Sequence, residues 1–261
     1  MDVNAIRFII FLGVFALMIL LESLIQLHPT VDSKPRRFAI NLGLTGIDIF
    51  AVKLFFGTAA VGAAAFANEQ SWGVLNYLDW PVWLEITITI ILLDFSIYVQ
   101  HVVVHMIPFF WRFHKVHHTD LDLDVSSALR FHPIEILGSM LFKISIIFAL
   151  GPTPLTVMIF EAILNGMAQF THSNIKLPEK LDSLMRYFFV TPDMHRIHHS
   201  EELDETNSNY GFNFSIWDRA LGTYIQEARK PQPEIVLGIK EYKNPKEVSF
   251  LNLLIIPFKK K

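Results

Sequence analysis

Long apolar runs separated by short polar joints set the pattern of this chain. The first run, Ile6 to Leu27, is long enough to cross the ~30 Å hydrocarbon core of a bilayer and stops at His28-Pro29. The joint after it, Asp32-Ser33-Lys34-Pro35-Arg36-Arg37, is the densest basic cluster outside the C-terminus. Positive joints favour the cytoplasm, which would leave the N-terminus outside. Ile40 to Phe66 predicts a second crossing, rich in Gly and Ala at its end, with Asp48 and Lys53 inside it. Five residues apart, these two do not meet well on an ideal helix; each is expected to face the bundle interior or to snorkel. Asn68 to Asp79 is a polar and aromatic connection. Trp72, Tyr77, Trp80 and Trp83 suit an interfacial belt on the far side. Leu84 to Ile107 predicts a third crossing, returning to the cytoplasmic side.

Two shorter apolar runs follow, Ile134 to Leu150 and Leu155 to Phe170, joined by Gly151-Pro152-Thr153-Pro154. Both sit at the short edge for spanning, so either two spans or a shallow hairpin satisfies the pattern. Pro133 is placed to open the first of them. Between the third crossing and this pair, Asp120 to Ser127 is polar, with Asp120, Asp122 and Asp124 alternating. It lacks the Gly and distal Glu of a calcium loop and reads as a solvated loop. Residues 176–247 turn polar and predict a cytoplasmic cap. The tail, Val248 to Phe258 followed by Lys259-Lys260-Lys261, is too short to span and suits an interfacial basic helix.

Composition agrees with a membrane protein: 52% of residues are apolar and 18% charged, against about 25% charged in soluble domains, with a mean hydropathy of +0.37. A net charge of −3 and the lack of a basic aromatic patch give no sign of a nucleic-acid partner. With no Cys, disulfides and thiolate metal sites are excluded. The first apolar run carries Glu22 and lacks a small-x-small cleavage site, so it does not read as a cleavable signal.

Ten of the eleven histidines lie between His101 and His199, and eight fall into three groups: His101-x-x-x-His105, His114-x-x-His117-His118 and His195-x-x-His198-His199. Spacings of three and four put side chains on one face of a helix, so each group can aim two or three imidazoles at one point. Neutral imidazole is the commonest transition-metal ligand. Eight are too many for one ion, which takes about three or four protein ligands; two metals sharing the set is the economical reading. Asp94, Tyr98, His101 and His105 form one stripe at separations of four, three and four. Asp94 can fix an imidazole tautomer, hold a neighbouring helix or line a substrate channel. Thr191 or Asp193 can cap the helix of the third group. A thiolate-free histidine site suits iron, zinc or copper. Zinc hydrolysis normally wants a carboxylate base as in His-Glu-x-x-His, and no Glu lies within the groups. Haem would need one His from each of two facing helices. Two irons could activate dioxygen against an unactivated C–H bond, with the substrate's chain held in an apolar tunnel between helices.

The three histidine groups, with Trp111-Arg112-Phe113-His114, Arg130-Phe131-His132-Pro133-x-Glu135, Asn209-Tyr210-Gly211 and Trp217 to Tyr224, resemble the fatty acid hydroxylase superfamily. That group includes sterol desaturases, sterol methyl oxidases, fatty acid hydroxylases and alkylglycerol monooxygenase. The resemblance covers about residues 84–226, after N-terminal membrane helices (1–83) and before a C-terminal tail (227–261). It implies an all-α integral membrane protein of four to five transmembrane helices under a cytosolic helical cap, holding a di-iron centre. It implies that His101, His105, His114, His117, His118, His195, His198 and His199 are catalytic metal ligands, joined by His172. Where some relatives have a further His this chain has Lys176; His132 is then either the tenth ligand or a structural cap. Tyr98, Asn209, Tyr210 and Asp218, with Asp94, are candidates for supporting the ligands; Asn209, Tyr210, Trp217, Asp218 and Arg219 are expected chiefly to lock the cap onto the histidine helices. His28 lies outside the set and is expected at the interface. The activity implied is hydroxylation of a lipid chain or sterol-like substrate with dioxygen, desaturation being the alternative on the same scaffold and non-catalytic metal binding the alternative of another class. Electrons would come from a separate donor protein or a reduced pterin. A multi-pass bacterial inner-membrane location, with the histidines cytoplasmic, is expected.

Overall fold

The computed structural model describes residues 3–57, 59–77 and 79–259 and is helical, with no strand among the described residues. The membrane part comprises α1 (Val3–Leu24), α2 (Lys34–Phe56), α3 (Ala59–Glu69), α4 (Val82–Met106), α5 (Pro108–His118), α6 (Pro133–Leu150) and α7 (Pro154–His172). The cap carries α8 (Glu179–Met185), α9 (Pro192–His198), α10 (Leu203–Thr206) and α11 (Ile216–Leu221); α12 (Phe250–Ile255) lies in the tail. Proline in the first turn opens α2, α5, α6, α7 and α9, where its missing N–H costs nothing and its fixed φ is already helical. Among the described residues four stretches are long and apolar enough to cross a membrane: Ala5–Leu24, Lys34–Tyr77, Val82–Met106 and Pro133–Leu150. The expected second crossing is broken at Gly57 (φ 57°) into α2 and α3. In the pair α6–α7 the return helix has 19 residues and rises about 28 Å; of the two, α6 is the one long and apolar enough to count as a crossing.

At the end away from the histidines, Gly73 (φ 94°) meets Gly151 (φ 68°), and a Cβ on Gly73 would lie 2.1 Å from the Gly151 nitrogen. Only glycine fits such a crossing. Glu85 at the start of α4 accepts from the Thr153 N–H at 2.9 Å and the Thr156 hydroxyl at 3.1 Å, tying α4 to α7. Trp72, Tyr77 and Trp83 are exposed around this end, in keeping with a belt. Between the two ends, α3, α4, α6 and α7 bury Ala64, Leu93, Ile97, Ile147 and Phe160 together. Asp48 is buried inside the bundle while Lys53 on the same helix is exposed.

The stretch Asp120–Ser127 is not a solvated loop. All three of its acids are buried, folded around the Arg37 guanidinium from the start of α2. Arg37 donates from Nε and Nη2 to the two Asp120 oxygens (2.8 and 2.9 Å), from Nη1 to Asp124 (2.6 Å), and from Nη2 to the Asp122 carbonyl (2.8 Å). Alternating acids resemble a solvated loop in sequence because their partner lies more than 80 residues upstream. Glu22 closes the same end, accepting from Lys34 Nζ (2.7 Å) and from the Val125 and Asn174 N–H groups (2.6 and 3.1 Å). In the tail, Leu253 and Ile256 pack with Ile40, Leu44 and Val116, while Leu251, Ile255 and Phe258 stay exposed. Lys260 and Lys261 lie outside the described residues.

Candidate metal centre

Nine histidines converge where α4, α5, α7 and α9 meet, and they sort into two buried groups. His101, His105, His114, His118 and His198 form one; His117, His172, His195 and His199 form the other. In each group the nearest ring nitrogens lie within 4.8 Å of one another. The helical repeat explains the sorting: residues four apart share a face, so His114 and His118 enter one group while His117 enters the other. In α9 the arrangement is reversed. His195 and His199 join the four-histidine group, and His198 reaches across to the five. Thr191 caps α9 by accepting from the Met194 N–H.

In five of the nine rings the hydrogen bonds fix which nitrogen is bare. A carbonyl only accepts, so a ring nitrogen facing one carries the proton. His101 Nδ1 donates to the Tyr210 carbonyl (2.8 Å), His198 Nδ1 to Ser208 (2.7 Å), His117 Nδ1 to Arg130 (3.2 Å) and His172 Nδ1 to Ala168 (2.7 Å). His114 Nδ1 donates to Glu135 Oε1 at 2.5 Å. The Nε2 lone pairs are thereby directed inward, and they face one another: His101 to His114 at 3.2 Å, His117 to His172 at 3.0 Å. Two lone pairs at that distance repel, and a cation between them turns the contact attractive. His105 and His118 have both ring nitrogens buried without a protein partner among the described residues. Burial pushes His117, His118, His195 and His199 well below the usual imidazole range and His198 down to about 3, so the rings are neutral and ready to ligate. The donor set fits two transition-metal ions.

With that geometry in place, the comparisons decide the family. The sequence model of the fatty acid hydroxylase family matches residues 86–223. This chain belongs to the fatty acid hydroxylase family. It is 29% identical to the ornithine lipid hydroxylase OlsE of Rhizobium tropici over 266 residues, covering 97% of this chain and 76% of that protein. It is 28% identical to alkylglycerol monooxygenase of Xenopus tropicalis (83% of this chain, 47% of that one) and 27% identical to cholesterol 25-hydroxylase of Rattus norvegicus (76% and 64%). No solved structure gives a significant match. As a member of that family, the chain is an oxidoreductase of an iron-dependent family.

The remaining site candidates of this family member have definite places. His132 stands apart from both groups. It caps α6, its Nδ1 accepting from the Ile134 N–H at 3.2 Å, and its Nε2 faces the Leu254 carbonyl at 3.3 Å; the residue before a helix-opening proline is spent on the cap. Asp94 touches no histidine. It accepts from Trp217 Nε1 (2.7 Å) and from the Asn213 and Phe214 N–H groups (3.2 and 3.3 Å), fastening the cap to α4. Asp218 accepts from the Tyr210 and Gly211 N–H groups (2.8 and 2.7 Å), and burial pushes its carboxyl up to about 6. Tyr98 meets Thr223, which donates to Asp218. Asn209 adopts φ 50°, a conformation Asn tolerates. That turn lets the carbonyls on either side of it, Ser208 and Tyr210, reach one ligand from the cap and one from α4. Glu135 on His114 is the residue that sequence reasoning passed over, although an acid opening an apolar helix beside the histidines is a signal.

Two adjoining cavities lie beside the five-histidine group, and one of them reaches it. A slot of about 190 Å³ between α4, α6 and α7 reaches His101 and His114. A wider apolar crevice of about 310 Å³ between α4 and α6 shares Gln100, Val104, Glu135 and Ser139 with it. Its outer residues Val99, Phe109, Phe110 and Ile134 are exposed, so the crevice opens on the side where lipid would lie.

Proposed function

We propose that this chain is a membrane di-iron oxygenase that hydroxylates a lipid chain or sterol-like substrate. The observation that carries the reading is the pair of interleaved histidine groups, with protons held on Nδ1 and bare Nε2 atoms converging. The five- and four-histidine groups would each hold one iron, and iron supplies dioxygen activation when bound. Around it the chain's own residues orient and exclude water: carbonyls of Ser208, Tyr210, Arg130 and Ala168 fix four rings, Glu135 fixes a fifth, and the cap shuts solvent out. Substrate would enter through the crevice between α4 and α6. One oxygen atom enters the C–H bond; the other leaves as water, with two electrons and two protons drawn from a separate donor protein or a reduced pterin on the histidine side, which we read as the cytoplasmic side of a bacterial inner membrane.

The test is the metal content of detergent-purified protein from iron-supplied cells, compared with His117→Ala, followed by lipid analysis of expressing cells. Two irons per chain that fall in the variant, and oxidised lipids that vanish with it, are expected. Wild type that takes no iron even after anaerobic ferrous reconstitution would overturn the reading.

A further inference from the structure

A polar stripe runs away from the histidines along an otherwise apolar helix. Glu135, Ser139 and Lys143 are spaced four apart on α6, share one face, and all line the slot that begins at His101 and His114. Asn165 of α7 faces them across it. Lys143 lies eight residues beyond Glu135, about 12 Å farther from the histidines along the axis. At that depth a cation is costly unless it is paired or used. Lys143 meets Glu161 at 3.2 Å, and Arg7 of α1 is paired with the same carboxylate. Among the described residues two cations share one acid there, so the group leans positive. At the histidine end Glu135, whose side chain is 10% exposed, spends Oε1 on His114. Its Oε2 and the Gln100 Oε1 are buried without protein partners among the described residues. The slot therefore has polar atoms at both ends and apolar walls from Ile97, Phe131, Leu164 and Phe212.

We propose that the slot binds a chain lipid bearing an oxyanion, carboxylate or phosphate, and seats that group against Lys143 and Asn165. The distance from Lys143 to the histidines then sets which carbon is presented there, while the rest of an amphipath leaves through the apolar crevice. A purely apolar chain would leave the surplus positive charge of the Arg7, Glu161 and Lys143 group unmatched. This deepens the oxygenase reading by naming its substrate class, and it rests on that reading only for the identity of the oxidised carbon.

Binding separates the two ideas because it needs no turnover. Tritiated palmitate on the full-length detergent-purified protein would be displaced with unlabelled palmitate, palmitoyl-lysophosphatidate or hexadecanol, and iron content measured alongside. In wild type at least one anion should bind about tenfold more tightly than the alcohol, the size of one charge-assisted contact in place of a neutral one. Whichever anion wins identifies the source of the oxyanion. Lys143→Met should erase the preference at unchanged iron content, and Lys143→Arg should keep it. Ser139→Phe, which narrows the passage and leaves the cation in place, should weaken both anion and alcohol. Wild type that does not prefer either anion, or a Lys143→Met variant that binds the anions as tightly as wild type, would overturn the assignment. Loss of iron in wild type, with the anion preference intact, would instead count against the oxygenase reading alone.

Discussion

Replacing Arg37 by Met puts the buried ionic knot at the histidine end under direct test. The guanidinium is 1% exposed and joins α2 to Asp120, Asp124 and the Asp122 carbonyl. Met fills similar space but strands two buried carboxylates. Removing one partner of a buried ion pair costs about 3–5 kcal/mol, a large part of a total stability of about 5–15 kcal/mol. At about 2–4 °C per kcal/mol for a chain near this size, the unfolding midpoint should fall by roughly 6–20 °C. Tryptophan fluorescence of the detergent-solubilised protein, with five tryptophans as reporters, measures it. Iron content should fall too. The Asp120 loop leads into Arg130, whose carbonyl orients His117 and whose Nε donates to Val116 within α5. Arg37→Lys should be intermediate, since one ammonium cannot reproduce the fork that spans two carboxylates. Combining Arg37→Met with Asp124→Asn should recover part of the loss, because one stranded charge is removed, Asp120 keeps the Arg130 guanidinium beside it, and Asn can still cap Ser126. A single variant that unfolds within about 2 °C of wild type, or a double variant less stable than the single one, would refute the reasoning.

The same knot sets an acid limit. Burial alone would raise the Asp120 carboxyl, but the Arg37 and Arg130 guanidiniums hold it far below the usual carboxylate range. Its contribution is therefore complete above the unfolded pKa of about 3.9 and declines as pH falls below that value; midpoints measured from pH 6 down to 3 should drop steeply at the acid end in wild type and less in Arg37→Met. Glu135→Ala removes the carboxylate behind His114 and should weaken iron binding about 10–100-fold, read by competition with a chelator. His132→Ala should cost about 1 kcal/mol of stability as a lost cap while leaving iron stoichiometry intact. Gly151→Ala should be more costly than the about 1 kcal/mol typical of a misplaced Ala, since φ is 68° and its Cβ would lie 2.0 Å from the Trp72 carbonyl; thermal unfolding reports this.

Most membrane helices were legible in the sequence to within a few residues, because apolar runs bounded by proline leave little choice; the exception is the second run, where no shift from apolar to polar residues marks the break at Gly57 between α2 and α3. The eight motif histidines were legible for the same kind of reason: spacing of three and four on a helix is a local property. Which histidine joins which group was not, since His117 and His118 are neighbours in sequence and part company only when His172 of α7 joins the one and His101 and His105 of α4 join the other. Long-range polar pairing was equally hidden. Asp120, Asp122 and Asp124 read as solvent-facing until Arg37 is placed among them, and Asp94 is open between fixing an imidazole, holding a neighbouring helix and lining a channel until Trp217 and the Asn213 backbone claim it. The carbonyls of Ser208 and Tyr210 carry no side-chain signature at all; only the left-handed Asn209 between them hints at the turn.

The sharing of α9 between the two histidine groups has a consequence in time. The five-histidine group needs His198 and the four-histidine group needs His195 and His199, so neither is complete until the ribosome has passed His199. The membrane helices must therefore insert and pack with their imidazoles unfilled, kept together by the Arg37 knot, the Glu85 tie and the glycine crossing. On the di-iron reading, loading is the last act of assembly, and an ion at either position adds a second tie between the late cap and helices made earlier. Iron scarcity would accordingly leave a finished bundle whose cap is held to α4 by Asp94 and not yet by its histidines, rather than a half-active enzyme.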